Sequence, residues 1–458
     1  MAESQKKLAI IGASAFQEPL IRKAQEQGIE THVFAWAAGD VGEALADVFY
    51  PISITEKEKI LSQCREIGVD GVATIGSDLA NITVAYVADG LGLTANSVDC
   101  VHRSTDKHVM RHCFEENADP SPKSVKVTVA QDVLPEGLSF PVIVKPADRS
   151  GSRGIARVEC ASGLAEAINS ALEVSFSKVA LVEEYFEGAE FSVEYLSWEG
   201  KHYFLALTEK FTTGAPHFIE TGHLEPARVS SELEAKIKVV TETALTHLGV
   251  TYGASHTELK VNQKGEIAII EIGSRMGGDC IGSHLVELST GVDFVGAVAQ
   301  IALGKKPAVL DDLEAKGCKT RRCAAIRFIF SGADLEALNA LKKENPSALV
   351  LENIAEEIKG ATGAGAVATD GASGASEGVD TDCTAGAGGE GKAGAEAESG
   401  AGAESAPDVT VPESTIDALN TENIVDSSTR YGFYIFTGDT LEEIERFLPS
   451  HNLEASRG

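Results

Sequence analysis

Over its first hundred residues the chain alternates short apolar runs with amphipathic stretches. Residues 7–14, KLAIIGAS, form a continuous aliphatic run that stops at Gly12, the pattern of a strand covered on both faces. FQEPLIRKAQEQG (16–28) spaces its apolar residues three and four apart and ends at glycine, which predicts a helix, and ETHVFAWA (30–37) returns to strand. KEKILSQCREIGV (57–69) predicts a second helix and DGVATIGSD (70–78) another strand. Strands and helices alternating at this interval predict a small parallel sheet with helices on both faces. Gly12-Ala13-Ser14 lacks the G-x-G-x-x-G pattern, so a dinucleotide site finds little support there.

From residue 104 the texture changes. STDKHVMRHCFEENADPSP (104–122) reads as a helix capped by Ser104 or Thr105 and stopped by two prolines. FPVIVKPADRSGSRGIARV (140–158) reads as strand, loop, strand. A helix follows around 162–173, and KVALVEEYFEGAEFSVEYLSW (178–198) supplies two further strands, an α+β lobe. Strands are expected at 203–210, 253–262 and 267–272, helices at 231–248 and 283–303, and a loop over 215–227. Residues 360–408 are Gly, Ala, Ser and acids with nothing to build a core, and read as a disordered insert. Beyond them NIVDSSTRYGFYIFTGDTLEEIERFL (423–448) resumes as strand then helix, so the C-terminal piece is expected to be split by the insert.

At 458 residues the chain exceeds one hydrophobic core, and two to four packed units are expected. The formal charge of −30 argues against a nucleic-acid or anionic-membrane surface, which needs basic patches. The eight cysteines are scattered, without a C-x-x-C pair or histidines at zinc-finger spacing, as idle thiols in a reducing compartment would be. The N-terminal apolar run is shorter than a signal core and no window approaches a membrane span, so a cytoplasmic location is the expectation.

The chemistry concentrates in four stretches. AIIEIGSRMGGD (268–279) ends an aliphatic strand on Glu271, with Arg275 four residues later in a bed of glycine. ASHTELKV (254–261) carries Glu258. If the two segments pair as a hairpin around NQKG, the carboxylates converge on one face, and a hard divalent cation between them would relieve their repulsion. The alternative is a solvated sheet face with two ordinary acids and a salt-bridged arginine in a turn. In FPVIVKP, Lys145 closes an apolar strand, an expensive place for a cation unless it meets an anion. Ser150, Gly151, Ser152 and Gly154 follow in a loop whose amides could cover phosphates, although G-x-x-x-x-G-K-[ST] is absent; a plain hairpin turn fits as well. LVEEYFEGAEFSVE (181–194) runs a strand into Glu183, Glu184, Tyr185 and Phe186, then Glu190. Acids or carbonyls there suit an adenine amino group and a ribose diol, or simply solvate a loop.

Taken in this order, TDKHVMR, VIVKP, SGSRG, VEEYFEGAEFSVE, HTELKV and IIEIGSRMGGD resemble the ATP-grasp superfamily over roughly residues 1–310. The resemblance implies an α/β and α+β multidomain chain, a Rossmann-like N-terminal lobe followed by an ATP-grasp fold. Its expected divisions are 1–103 for that lobe and 104–310 for the ATP-grasp domain, with a lid over about 123–197. A C-terminal α+β piece over 311–358 plus 411–450 flanks the insert. By position, Lys107 and Lys145 would contact ATP phosphates and residues 150–154 form the lid loop. Glu183 and the backbone near Tyr185 and Phe186 would read adenine, and Glu190 the ribose. Glu258 and Glu271 would hold Mg²⁺ (or Mn²⁺), and Arg275 would stabilise an acyl phosphate. Many members carry Asn two residues after the second glutamate; here stands Gly273, whose place a water or Ser274 could take.

The branch most resembled is that of carboxylate–amine ligases joining amino acids or small acids, similar to L-amino acid ligases. The implied reaction forms an amide or peptide bond with release of ADP. His217, Glu220, His223 and Arg228 are the candidates for the acceptor pocket. The expected partners are small-molecule carboxylate and amine substrates, with neither nucleic acid nor membrane, and a homodimer by analogy alone. Rival readings are a bicarbonate-activating carboxylase, a nucleotide-biosynthesis ligase and a non-catalytic ATP-binding module. A nicotinamide-dependent oxidoreductase is weaker for want of the glycine fingerprint.

Overall fold

The computed structural model describes residues 5–149, 151, 153–214, 218–355 and 430–449. Ser150, Ser152, His217 and the 360–408 insert lie outside the described residues. Within them, three sheets organise the chain.

The N-terminal lobe holds β1 (Lys7–Ile11), β2 (Glu30–Phe34), β3 (Val48–Tyr50) and β4 (Gly71–Ala73) in the order β3-β2-β1-β4. All three pairings are parallel. Helices Glu18–Glu26, Lys57–Ile67 and Asp78–Leu91 follow the expected alternation. The short β3 carries too few residues to announce itself by periodicity. The helix starting at Asp78 is capped by Ser77, whose side chain accepts the Ala80 amide, and this fixes Asp78 at the carboxyl end of β4.

The second sheet comprises β5 (Ser124–Val127), β6 (Val142–Pro146), β7 (Ala156–Val158) and β8 (Ala180–Glu184), antiparallel in the order β5-β8-β6-β7. Helix Leu164–Val174 buries Leu164, Ile168 and Ala171 against it.

The third sheet is built from β9 (Ala189–Trp198), β10 (Lys201–Thr212), β11 (Glu220–Glu225), β12 (Gly253–Val261), β13 (Ile267–Gly273), β14 (Cys323–Ile329), β15 (Leu349–Ile354) and β16 (Gly432–Gly438). Its order is β13-β12-β9-β10-β11-β14-β16-β15, antiparallel throughout. The C-terminal strands therefore extend the same sheet, and β16 slots between β14 and β15. Helices Lys107–Asn117 and Ser231–Leu248 cover β9, β12 and β13 through Phe114, Ile237, Leu245 and Leu248. Helix Phe294–Ala302 packs the N-terminal lobe onto the other face.

Four local expectations are corrected. The helix at 107 is capped by Asp106, which accepts the His108 and Val109 amides, while the Ser104 hydroxyl turns to Val101 O and Ser274. The segment 215–227, read as a loop, contains β11; its polar side chains hid a strand that pairs on both edges. The helix expected over 283–303 breaks into a π-turn at Ile281–Leu285 and helices Val286–Thr290 and Phe294–Ala302, with Gly291 at φ +75° closing the first of the two. After β16 only a short 3₁₀ turn, Glu445–Phe447, stands where a helix was expected.

Candidate active site

Glu258 and Glu271 face each other directly across the β12–β13 hairpin. The oddity of Glu271 resolves in a bulge. The register runs Glu258 to Glu271 but Leu259 to Ile269, so Ile270 is an extra residue in β13. Strict alternation would turn Ile269 and Glu271 to one side. The extra residue lets Ile269 enter the core while Glu271 emerges on the cleft face. The Ile270 carbonyl accepts from Arg111 Nη2 at 2.8 Å.

Cations ring the two carboxylates. Lys107 Nζ donates to Glu271 Oε1 at 2.8 Å and to Arg149 O at 2.9 Å. Lys210 Nζ bonds Glu258 Oε1 and lies 3.5 Å from Glu220. His256 Nε2 stands 3.4 Å from the same Glu258 oxygen, and its Nδ1 is bound to the buried Glu194. Burial would lower the lysine values, but the facing carboxylates raise both Lys107 and Lys210. Burial would likewise depress His256; Glu194 outweighs it and holds the imidazolium to about 9. Against its own desolvation, Glu258 is held well below the ordinary carboxylate range by Lys210 and His256.

Lys145 is 4% exposed at the end of β6 and pairs with Glu183 Oε2 at 2.7 Å. Arg111 grips the same carboxylate from the other side, at 2.9 and 3.2 Å. Desolvation would raise Glu183, yet the two cations pull it to about 2, while burial lowers Lys145. Glu183, expected at the adenine, lines the same cavity as Tyr185 and Phe186. Two buried cations consume it, and it serves as the strut that fixes Lys145.

Arg275 is oriented from the N-terminal lobe. Its Nε and Nη2 donate to the two oxygens of Asp78 at 2.8 and 2.9 Å, and Nη1 to Met276 O at 3.1 Å. This arrangement accounts for Gly273: a Cβ there would come within 3.2 Å of Arg275 Cζ and 3.3 Å of Asp78 Oδ1. Ser274 does not fill the gap, because its hydroxyl is 2.6 Å from Ser104 Oγ and 3.2 Å from Asn81 Nδ2, facing the N-terminal lobe. Among the described residues no cluster of three or more metal-ligating side chains exists. Two paired carboxylates nevertheless fit Mg²⁺, a hard ion usually bound by one or two carboxylates with substrate phosphates completing the shell.

Of these groups Lys145, Glu183, Lys210 and Glu258 line a cleft between the second and third sheets. A cavity of about 120 Å³ is bounded by Lys145, Tyr185, Phe186, Lys210, Glu220 and Glu258. It adjoins a wider one of about 610 Å³ along Glu187, Gly188 and Asn262. Glu190 lies on both, paired with Lys260 at 2.9 Å. Tyr185 is stacked beneath Arg157, 4.3 Å from guanidinium carbon to ring centroid. Gly151 and Gly154 hold left-handed φ of 73° and 69° in the loop between β6 and β7.

The acceptor candidates separate. Glu220 lines the cleft, between Lys210 and Arg430. His223 is buried beside Asp279, and burial lowers it to about 4. Arg228 does not join them: it is bidentate to Glu209 at 2.9 and 2.6 Å and lies against Phe211. Its guanidinium is spent on a structural ion pair, which corrects that assignment. Lys210, Asp78, Asp279 and Arg430 were missed. Lys210 had a signal, being a lysine in the apolar run of β10, as Lys145 is in β6. Asp78 had one in its place at the carboxyl end of a parallel strand, whereas Asp279 and Arg430 pair across a long sequence separation and had none.

Residues 138–283 match the ATP-grasp domain family. The chain is 26% identical over 275 residues to the alanine–anticapsin ligase of Bacillus subtilis (strain 168), covering 52% of this chain and 58% of that protein. It is 23% identical over 346 residues to carnosine synthase 1 of Homo sapiens, covering 68% and 41%. The chain thus spans about half the length of the curated relatives it matches. In fold it superposes on the crystal structure of L-amino acid ligase from Bacillus licheniformis with a TM-score of 0.69 at 22% identity, covering 97% of this chain and 96% of that one. A phosphoribosylglycinamide synthetase from Anaerococcus prevotii gives 0.64 at 20%, covering 96% of each. Over residues 138–283, about a third of its length, the chain thus resembles an ATP-grasp domain.

Proposed function

We propose that the protein is an ADP-forming ligase that joins a carboxylate to an amine through an acyl phosphate. The observation that carries this reading is the Glu258–Glu271 pair, ringed by Lys107, Lys210 and Arg275 at the inner end of a cleft between two sheets. Glu258 and Glu271 are the residues that would hold Mg²⁺, which when bound neutralises phosphate charge. Lys107 and Lys145 contact phosphates, and a bound polyanion offsets the burial that lowers Lys145. The adenosine lies along Tyr185, Phe186 and Glu190.

The substrate carboxylate oxygen attacks the γ-phosphorus, the bond to the β,γ-bridging oxygen breaks, and ADP leaves with that electron pair. The amine nitrogen then attacks the acyl carbon, the carbon–phosphate oxygen bond breaks, and phosphate departs as the nitrogen gives up a proton to solvent. Arg275, its near edge held by Asp78, turns its remaining N–H groups to the charge that develops on the phosphoryl and acyl oxygens. Positioning and charge stabilisation are the protein's whole contribution.

The test is phosphate release with Mg²⁺ and ATP, screened against amino acids singly and in pairs, alongside Glu271→Gln and Arg275→Ala. Release requiring both substrates, reduced on the order of 10²-fold or more in each variant, is expected. Release with bicarbonate alone would replace the ligase by a carboxylase.

A further inference from the structure

We propose that a second cavity, bounded by Phe16, Phe328, Leu351 and Phe433, is the acceptor pocket, and that it takes a primary amine carried on a large apolar body such as an aromatic or branched-chain amino acid. The inference rests on the ligase reading and names the amine class which that reading leaves open.

The cavity measures about 600 Å³, within the span of small-molecule sites. Its floor is Gly277, Gly278 and Asp279, the residues that directly follow Arg275 and Met276. Arg430 enters just ahead of β16, 3.6 Å above the Phe328 ring, and forms a two-pronged pair with Asp279 at 2.8 and 3.0 Å. Its Nη2 also lies 3.4 Å from Glu220. Glu220 in turn reaches Lys210, which holds Glu258. One ion-pair chain therefore leads from this cavity to the reaction centre.

The charge along that chain selects the ligand's sign. Asp279 and Glu220 share one guanidinium, and Lys210 is already committed to Glu258. The acidic excess at the inner end suits an ammonium group. Behind the cavity wall His223, 1% exposed, has Nε2 4.0 Å from Asp279. Asp279 and Cys280 both hold left-handed backbone, at φ 49° and 62°, without being glycine. Such strain persists where the surroundings impose it, and here it aims Asp279 at Arg430.

The walls set the rest of the ligand. Phe16 is 50% exposed and Leu351 37% exposed, large apolar groups left facing an open cavity. Glu18 and Glu352 also face it, but each is already paired, with Arg22 at 2.8 Å and Lys342 at 2.7 Å, so the wall charges cancel locally and the aromatic and aliphatic surface sets the selectivity. The amine therefore points inward to Asp279, behind which Glu220 shares the same guanidinium, and its apolar body lies against Phe16 and Leu351.

Two measurements test this. Calorimetric titration of L-phenylalanine, phenethylamine, glycine and L-glutamate into the full chain with Mg²⁺ and a non-hydrolysable ATP analogue should show the two aromatic amines binding at least tenfold tighter than the others. In turnover with paired amino acids, mass analysis should place the apolar residue on the amine side of the product. Leu351→Glu, a substitution at an exposed wall, should weaken L-phenylalanine at least tenfold, favour L-lysine, and leave the KM for ATP unchanged. Glycine or glutamate binding as well as phenylalanine, no aromatic binding at all, or an unchanged ranking in Leu351→Glu would overturn the assignment. Amide formation with that ranking absent would leave the ligase reading standing; absence of ATP-dependent product with every pair, despite aromatic binding, would count against the ligase reading alone.

Discussion

Glu225, at the end of β11, is fully buried, with no salt-bridge partner among the described residues. Thr208 donates to Oε1 at 2.8 Å, and the Ser289 hydroxyl lies 2.8 Å from Oε2 and 3.3 Å from Val286 O. Burial pushes its carboxyl up to about 8, with nearby Glu194 adding to the rise. At neutral pH the group is therefore protonated, its O–H donating to Ser289 and Ser289 donating onward to Val286 O. The sign of the linkage follows. Unfolded chains lose this proton near 4.5, while the folded state keeps it to about 8. Between those values the folded state binds more protons, so stability falls as pH rises. The loss relative to the acid limit is roughly 1 kcal/mol at pH 5 and roughly 3 kcal/mol at pH 7. Glu225→Gln keeps the shape, the acceptor for Thr208 and a donor for Ser289, with no proton to lose. Urea unfolding of both proteins at pH 5, 6 and 7 should show the variant's advantage widening by about 2 kcal/mol across the range. A constant offset, or a wild-type chain that stays the more stable at pH 7, would refute the buried neutral acid.

The strut under Lys145 makes the opposite forecast. Glu183→Gln strands two buried cations and should cost about 3–5 kcal/mol in unfolding free energy. In the wild-type chain, the depressed Glu183 carboxyl contributes stability that is present above about 4.5 and lost as pH falls toward 2, readable in an acid titration. Asp78→Ala should lower kcat by about tenfold or more with the KM for ATP unchanged, Asp78→Asn less so, because Asp78 acts through the angle of Arg275. A rise in the KM for ATP without loss of kcat would show that Asp78 serves nucleotide binding instead.

Much of the frame was legible because it rests on local periodicity. The βαβ alternation, the 231–248 helix and the Glu258–Glu271 hairpin follow from apolar spacing and turn residues. What was hidden depends on contacts that no window contains. The bulge at Ile270 is set by how β12 and β13 meet the core, and β11 is held by neighbours on both sides despite a polar face. Glu183 is expected at the adenine from its position in the resemblance and Arg228 in the acceptor pocket, and each meets an oppositely charged partner supplied by a distant element. Asp78, at the carboxyl end of a parallel strand, stands where open α/β sheets commonly present functional groups, and that rule could have singled it out. Arg430 offered only its place ahead of a strand.

The placement of β16 between β14 and β15 bears on how a nascent chain reaches this state. Both flanking strands leave the ribosome with residues 356–429 still to be made, a delay on the order of ten seconds at ordinary elongation rates. Through that interval β14 and β15 present unpaired edges, and the apolar cluster of Leu335, Leu338 and Leu341 lacks Tyr434 and Phe436. The formal charge of −30 opposes edge-to-edge association of such chains before the last strand closes the gap.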